Sequence, residues 1–157
     1  MKDAIDAARS LGDLLQDFVG RVAHRGGHTL TIMNEASVTL HQVILLNRLR
    51  DVRRSTVSDL AAILGMSAPS VSQMVDRLHR LHLVTRSEMP DDRRKKQIEL
   101  TQTGQALLER LAQARSAEFE AGTARLSAAL RAELAGLLER AVGHLSRQAE
   151  VRLPVDG

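Results

Sequence analysis

The chain has 157 residues, 43% of them hydrophobic, and no cysteine. This is enough for one domain with a real core, and it excludes disulfides, thiol redox sensing and cysteine-ligated zinc or iron–sulfur clusters. The net charge is only +3, but residues 48–96 hold 11 Lys and Arg against 6 Asp and Glu, while the rest of the chain holds 11 against 13.

Residues 4–22 place Ile5, Ala8, Leu11, Leu15, Phe18, Val19 and Val22 at helical spacing. An amphipathic helix is expected there, broken at Gly26-Gly27. Thr39 with Gln42 three residues on has the form of a capping box. The helix behind it would turn Val43, Leu46 and Leu49 inward and end in Arg50, Arg53 and Arg54, where cations suit the dipole. Thr56 caps a short helix over about 57–64, and Gly65 stands where a stop needs left-handed backbone. Ser67 caps the next helix, with Pro69 in its first turn. That helix is expected to reach about Leu81 and to bury Val71, Met74, Val75 and Leu78.

The period then changes to that of strands. Residues 84–87 and 97–100 read as two short strands joined by the polar turn Met89-Pro90-Asp91-Asp92. Thr101 caps a long helix carrying Leu107, Leu108, Leu111 and Ala114 on one side. Ser127 caps the last, with Leu130, Leu134, Leu137, Leu138, Ala141 and Leu145 in a stripe. Helices this apolar on one side need a partner surface, and a second copy of the chain is the simplest one. No stretch approaches the roughly 20 apolar residues of a membrane span. The opening MKDAIDAARSLGDLL is interrupted by aspartates and lacks a signal peptide's apolar centre. A soluble, cytoplasmic protein is expected.

The sharpest feature is helix, glycine turn, helix and hairpin across residues 56–100. The two short helices are separated by a turn of helix-turn-helix length, the motif whose second helix enters the DNA major groove. In that second helix Val71, Val75 and Leu78 face the core, while Ser70, Ser72, Gln73, Asp76 and Arg77 face away. Gln can bond bidentately to adenine, and serines can contact bases or phosphates. Arg77 has the reach for a phosphate or a neighbouring base. Taken alone, these residues are more often a solvated helix face than a DNA reader. The hairpin tip adds Asp91-Asp92-Arg93-Arg94-Lys95-Lys96, four consecutive cations of the kind that reach into a minor groove. The candidate DNA contacts are therefore Ser67, Ser70, Ser72, Gln73, Arg77, Asp92, Arg93, Arg94 and Lys95.

The run from Val38 to Gln105 resembles the multiple-antibiotic-resistance regulator (MarR) family. The residues that carry the resemblance are Asp59-Leu60-Ala61, Gly65-Met66-Ser67, Val75-Asp76-Arg77-Leu78, Leu83-Val84-Thr85-Arg86, Asp92-Arg93-Arg94, Leu100-Thr101 and Gly104. Each fragment is weak; their order and spacing are specific. The resemblance implies a mainly α fold with a small β-hairpin: a winged helix-turn-helix lobe over 38–100, an N-terminal helix and connection over 1–37, and C-terminal helices over 101–157. The outer segments would interlock two copies into one intertwined homodimer. It further implies a bacterial regulator, usually a repressor, that binds double-stranded DNA at a pseudo-palindromic operator on the nucleoid. Many such proteins release DNA on binding a small acid. Phe18, Arg21, Val22, His41 and Leu45 lie near where the family's ligand pocket is usual. Two departures matter. His82 stands where the family usually has Gly, which is costly if the site needs positive φ. Gln73 stands where many members have Arg, which bears on which operator is read.

His24 and His28 are four apart and His41 could join them, but Gly26-Gly27 interrupts any helix between the first two. Surface histidines are the expectation, with no metal and no cofactor. No GxSxG, P-loop or HExxH motif is present, so an enzyme is not expected. The remaining alternative is an interaction module that has kept the fold and lost DNA binding.

Overall fold

The computed structural model describes residues 10–23, 27–88 and 96–151. Contacts divide the chain into two units, Met1–Ala23 with Phe119–Gly157, and His24–Glu118.

The second unit begins with α2 (His28–Glu35), which Gly27 precedes. The sequence reading placed no helix here. Eight residues with only Thr29 and Ile32 buried give too short an apolar pattern to declare itself. The helix is held by partners far along the chain. Glu118 accepts the Thr29 N–H at 3.0 Å, and Arg110 reaches Glu35 at 3.4 Å. A carboxylate at the first turn and a cation at the last both suit the helix dipole.

Helix α3 (Leu40–Val52) starts with the expected Thr39–Gln42 capping box. It ends at Arg53, whose φ is 63°. Arg54 therefore does not extend the helix. It opens β1 (Arg54–Ser55), a strand the sequence reading did not contain. Two residues cannot show a period of two; only pairing with a distant strand defines this one. Thr56 caps α4 (Val57–Leu64) in a second capping box, with Asp59. Gly65, at φ 62°, stops it. Ser67 caps α5 (Ala68–Arg80).

Strands β2 (Val84–Glu88) and β3 (Lys96–Leu100) pair antiparallel, with Val84 opposite Leu100 and Glu88 opposite Lys96. β1 adds to the far edge of β3, Ser55 opposite Ile98, giving the sheet order β1-β3-β2. The expected hairpin is thus the larger part of a three-stranded sheet. Helix α6 (Gln102–Thr123) follows. The core of this unit gathers Leu45, Leu46, Leu49, Leu60, Val71, Val75, Leu78 and Ile98, all fully buried. Met74, expected in the core, is only partly buried at its edge. Truncating any of these leucines should cost about 2–5 kcal/mol, from lost transfer energy and the cavity left behind.

The first unit contains α1 (Leu11–Ala23), the end of α6, and α7 (Ala128–Val151). Ser10 and Asp13 close the start of α1 reciprocally. The portion of the expected helix before Ser10 lies outside the described residues. Val22 is buried against Gly122, where a Cβ would sit 2.4 Å from the Val22 carbonyl oxygen. Leu11, Leu14, Leu15 and Val19 on α1 are exposed, as are Leu130, Leu137, Leu138, Val142 and Leu145 on α7. Among the described residues, no helix is long and apolar enough to cross a membrane.

Candidate nucleic-acid interface

The helix-turn-helix is built as its residue types demand. The Thr56 hydroxyl accepts the Asp59 N–H at 3.2 Å, while the Asp59 carboxylate accepts the Thr56 N–H at 3.3 Å. Gly65 takes the left-handed conformation that only glycine adopts at little cost. The Met66 N–H then donates to the Ala61 carbonyl at 3.0 Å, completing the stop. Two residues later the Ser67 hydroxyl accepts the Ser70 N–H at 3.3 Å and starts α5.

Val71, Val75 and Leu78 lock α5 to the core with no exposed surface. Ser67, Ser70, Gln73 and Arg77 follow one another at helical spacing along the outward side, with Ser72 and Asp76 on an adjacent line. Ser67, Gln73, Asp76 and Arg77 are exposed; Ser70 and Ser72 are half-buried. The Ser67 and Ser70 hydroxyls are 2.8 Å apart. Of the sequence-predicted contacts on this helix, Ser67, Ser70, Gln73 and Arg77 thus form one polar strip, with Ser72 beside it.

Three outward groups also touch the protein itself. Arg77 Nη2 donates to the Ser37 carbonyl at 3.0 Å. Asp76 forms an ion pair with Arg86 on β2. The His79 ring Nδ1 lies 3.1 Å from the Val84 carbonyl oxygen. Beyond α5, His82 has φ 57°, so the position does require the left-handed backbone that glycine would supply more cheaply. The β2–β3 ladder runs out to Glu88 and Lys96. Asp92, Arg93, Arg94 and Lys95, at the expected tip, lie outside the described residues.

The other predicted residues are distributed over both units. Phe18 is half-buried, Arg21 pairs with Asp17 at 2.9 Å, and Val22 is buried. These three belong to the first unit. His41 is exposed and Leu45 fully buried on α3 of the second. His28 is exposed, and His24 lies outside the described residues. Among the described residues, no three His, Cys, Asp or Glu side chains gather as metal ligands would.

The second unit also holds a cavity of about 230 Å³ between α2, α3 and α6. Met33, Leu40, Val43, Ile44, Leu108 and Leu111 line it, with Thr29, Asn47, Arg50 and Arg115. The Thr29 hydroxyl is buried and finds no hydrogen-bond partner among the described residues. A buried hydroxyl left unmatched is costly unless something else satisfies it. Sequence reasoning missed this set because its members come from three helices. The available signal was a pair of arginines, Arg50 and Arg115, on helices whose facing residues are mostly aliphatic.

Comparison with known proteins gives a consistent result. Residues 36–95 match the MarR family. The HTH-type transcriptional regulator YhbI of Bacillus subtilis (strain 168) is 32% identical over 81 residues, 52% of this chain and 53% of YhbI. The HTH-type transcriptional repressor NicR of Pseudomonas putida is 32% identical over 107 residues, 66% of this chain and 64% of NicR. The chain thus spans between half and two thirds of these curated relatives. A solved complex of S. aureus MepR with DNA has the same fold, with a TM-score of 0.61 and 22% identity over 86% of this chain and 97% of that one. Both curated relatives bear the names of HTH-type transcriptional regulators. A capped helix-turn-helix, a hairpin and a family match over that one lobe point the same way: residues 36–95 of the chain are similar to the MarR family.

Proposed function

We propose that the protein is a sequence-specific, duplex-DNA-binding transcriptional repressor that works as a homodimer on a pseudo-palindromic operator. The observation that carries this reading is the polar strip Ser67, Ser70 and Gln73 on α5, whose opposite side is fully buried. A helix locked to the core and polar outward is what a major groove admits. Gln73 takes the base-reading role, best matched to adenine. Ser67, Ser70 and Ser72 take backbone or base-edge contacts. Arg93, Arg94 and Lys95 take minor-groove and phosphate contacts at the hairpin tip, with Asp92 orienting an arginine. NicR bears the name of a repressor and MepR has been solved on DNA, which supports the same assignment here.

Dimerisation is supported by the exposed leucines of α1 and α7, which two copies would cover. This gives residues 1–37 and 101–157 the pairing role and 38–100 the reading role. Relief by a small amphipathic anion is supported by the cavity that joins Arg50 and Arg115 to aliphatic walls. Such a ligand would place its charge with the arginines and its apolar body against the leucines. Action on DNA places the protein in the cytoplasm, at the nucleoid.

The test is selection of bound duplexes from a random pool. Enrichment of an inverted repeat with half-sites about one helical turn apart is the expected result. Recovery of no common sequence from a pool that the protein retains would refute sequence-specific reading.

A further inference from the structure

The outward side of α5 is braced from two directions. Asp76 pairs with Arg86 of the adjoining strand. Arg77, the next residue, reaches forty positions back to the Ser37 carbonyl between α2 and α3. Neighbouring helix positions point about 100° apart, so these two ties resist rotation of α5 about its own axis in both senses.

The Ser37 end is itself fixed. Ser37 has φ 55°. Its N–H donates to the Asn34 carbonyl, and the Val38 N–H donates to the Met33 carbonyl, each at 3.0 Å. This closes α2 in the manner of a Schellman turn, with Val38 buried behind it. The Ser37 carbonyl takes no part in that closure, and Arg77 is its donor. Gln73 lies one helical turn before Arg77 on the same strip. Whatever holds α5 at Arg77 therefore also bears on the side from which Gln73 is presented.

We infer that Arg77 is a positioning residue: it holds the reading helix to the α2–α3 turn and sets the pose of Gln73, rather than neutralising a phosphate. The inference rests on the assignment of α5 as the reading helix, and it revises the phosphate role expected for Arg77 from the sequence.

The experiment compares wild type, Arg77→Gln and Arg77→Lys in the full-length protein. Amide exchange is measured without DNA, and binding to operator and scrambled duplexes is titrated over several salt concentrations. Arg77→Gln should speed exchange across residues 36–40 in the free protein. It should also weaken operator binding roughly tenfold, leave scrambled-duplex binding unchanged, and keep the slope of log K against log salt. Arg77→Lys, which retains a donor, should restore much of the protection and preference. Arg77→Met, which keeps the apolar stem, carries the same comparison if the Gln variant does not fold. Unchanged exchange, with a salt slope shallower by about one unit per protomer on both duplexes, would overturn the inference in favour of a phosphate contact. Because exchange is read without DNA, failure of the wild type to bind any duplex would refute the reading-helix assignment separately from the tether.

Discussion

Thr101 donates its hydroxyl to the His82 carbonyl at 2.7 Å, tying the start of α6 to the one residue of the α5–β2 turn with left-handed backbone. The same hydroxyl accepts the Gly104 N–H at 3.0 Å, so a single side chain both caps α6 and anchors the wing. Gly104 has no room for a side chain there, since a Cβ would lie 2.2 Å from the Leu83 carbonyl oxygen. The angle between α5, the β2–β3 pair and α6 is thus set over a few residues.

His82 occupies that turn at a cost. A non-glycine residue in left-handed backbone is disfavoured by about 1–2 kcal/mol, partly offset by the greater freedom glycine loses on folding. His82→Gly should therefore stabilise the protein by roughly 0.5–1 kcal/mol in denaturant unfolding. Operator affinity should not change. A loss of stability would mean that the His82 ring makes contacts worth more than its backbone strain.

Base readers and phosphate contacts should separate by salt dependence. Gln73→Ala should lose about 1–3 kcal/mol against the preferred operator, relax the base preference at one position per half-site, and keep the salt slope. Arg94→Ala should weaken binding to all duplexes alike and flatten the slope by about one unit per protomer. The check is a salt series on matched and single-substituted duplexes.

Much of this was legible in the sequence wherever a local rule decides. The Thr39, Thr56 and Ser67 caps, the Gly65 stop and the strands β2 and β3 needed only neighbouring residues. What stayed hidden was decided by distant partners. β1 exists because Ser55 meets Ile98. α2 is fastened by Glu118 and Arg110. Arg77 looked like a free cation because Ser37 is forty positions away. The cavity was hidden for the same reason: Thr29, Arg50 and Arg115 converge only after three helices have packed.

That cavity carries its own expectation. Arg115→Ala should leave operator affinity within about twofold and raise by about tenfold the concentration of a small carboxylate needed for release, the loss of one charge-assisted contact. Benzoate and octanoate serve as probes in a competition titration on operator DNA. Release unaffected by the substitution would place the effector elsewhere.

The exposed face of α7 should behave as an interface. Leu137 and Leu138 are 50% and 47% exposed, side by side with Val142 and Leu145. Leu137→Lys places a charge in that face, which is costly once buried without a partner. Sedimentation should show the variant shifted toward monomer at micromolar concentration, with operator binding weakened by loss of the second half-site. A variant that remains fully dimeric would exclude this part of α7 from the interface.

The most direct test of the central claim is a nuclease footprint of the purified protein on DNA flanking its own gene, at low and moderate salt. A repressor that reads DNA with paired α5 helices should protect an inverted repeat whose half-sites are about one helical turn apart. That protection should fade steeply as salt rises. Asymmetric protection, or protection indifferent to salt, would contradict it.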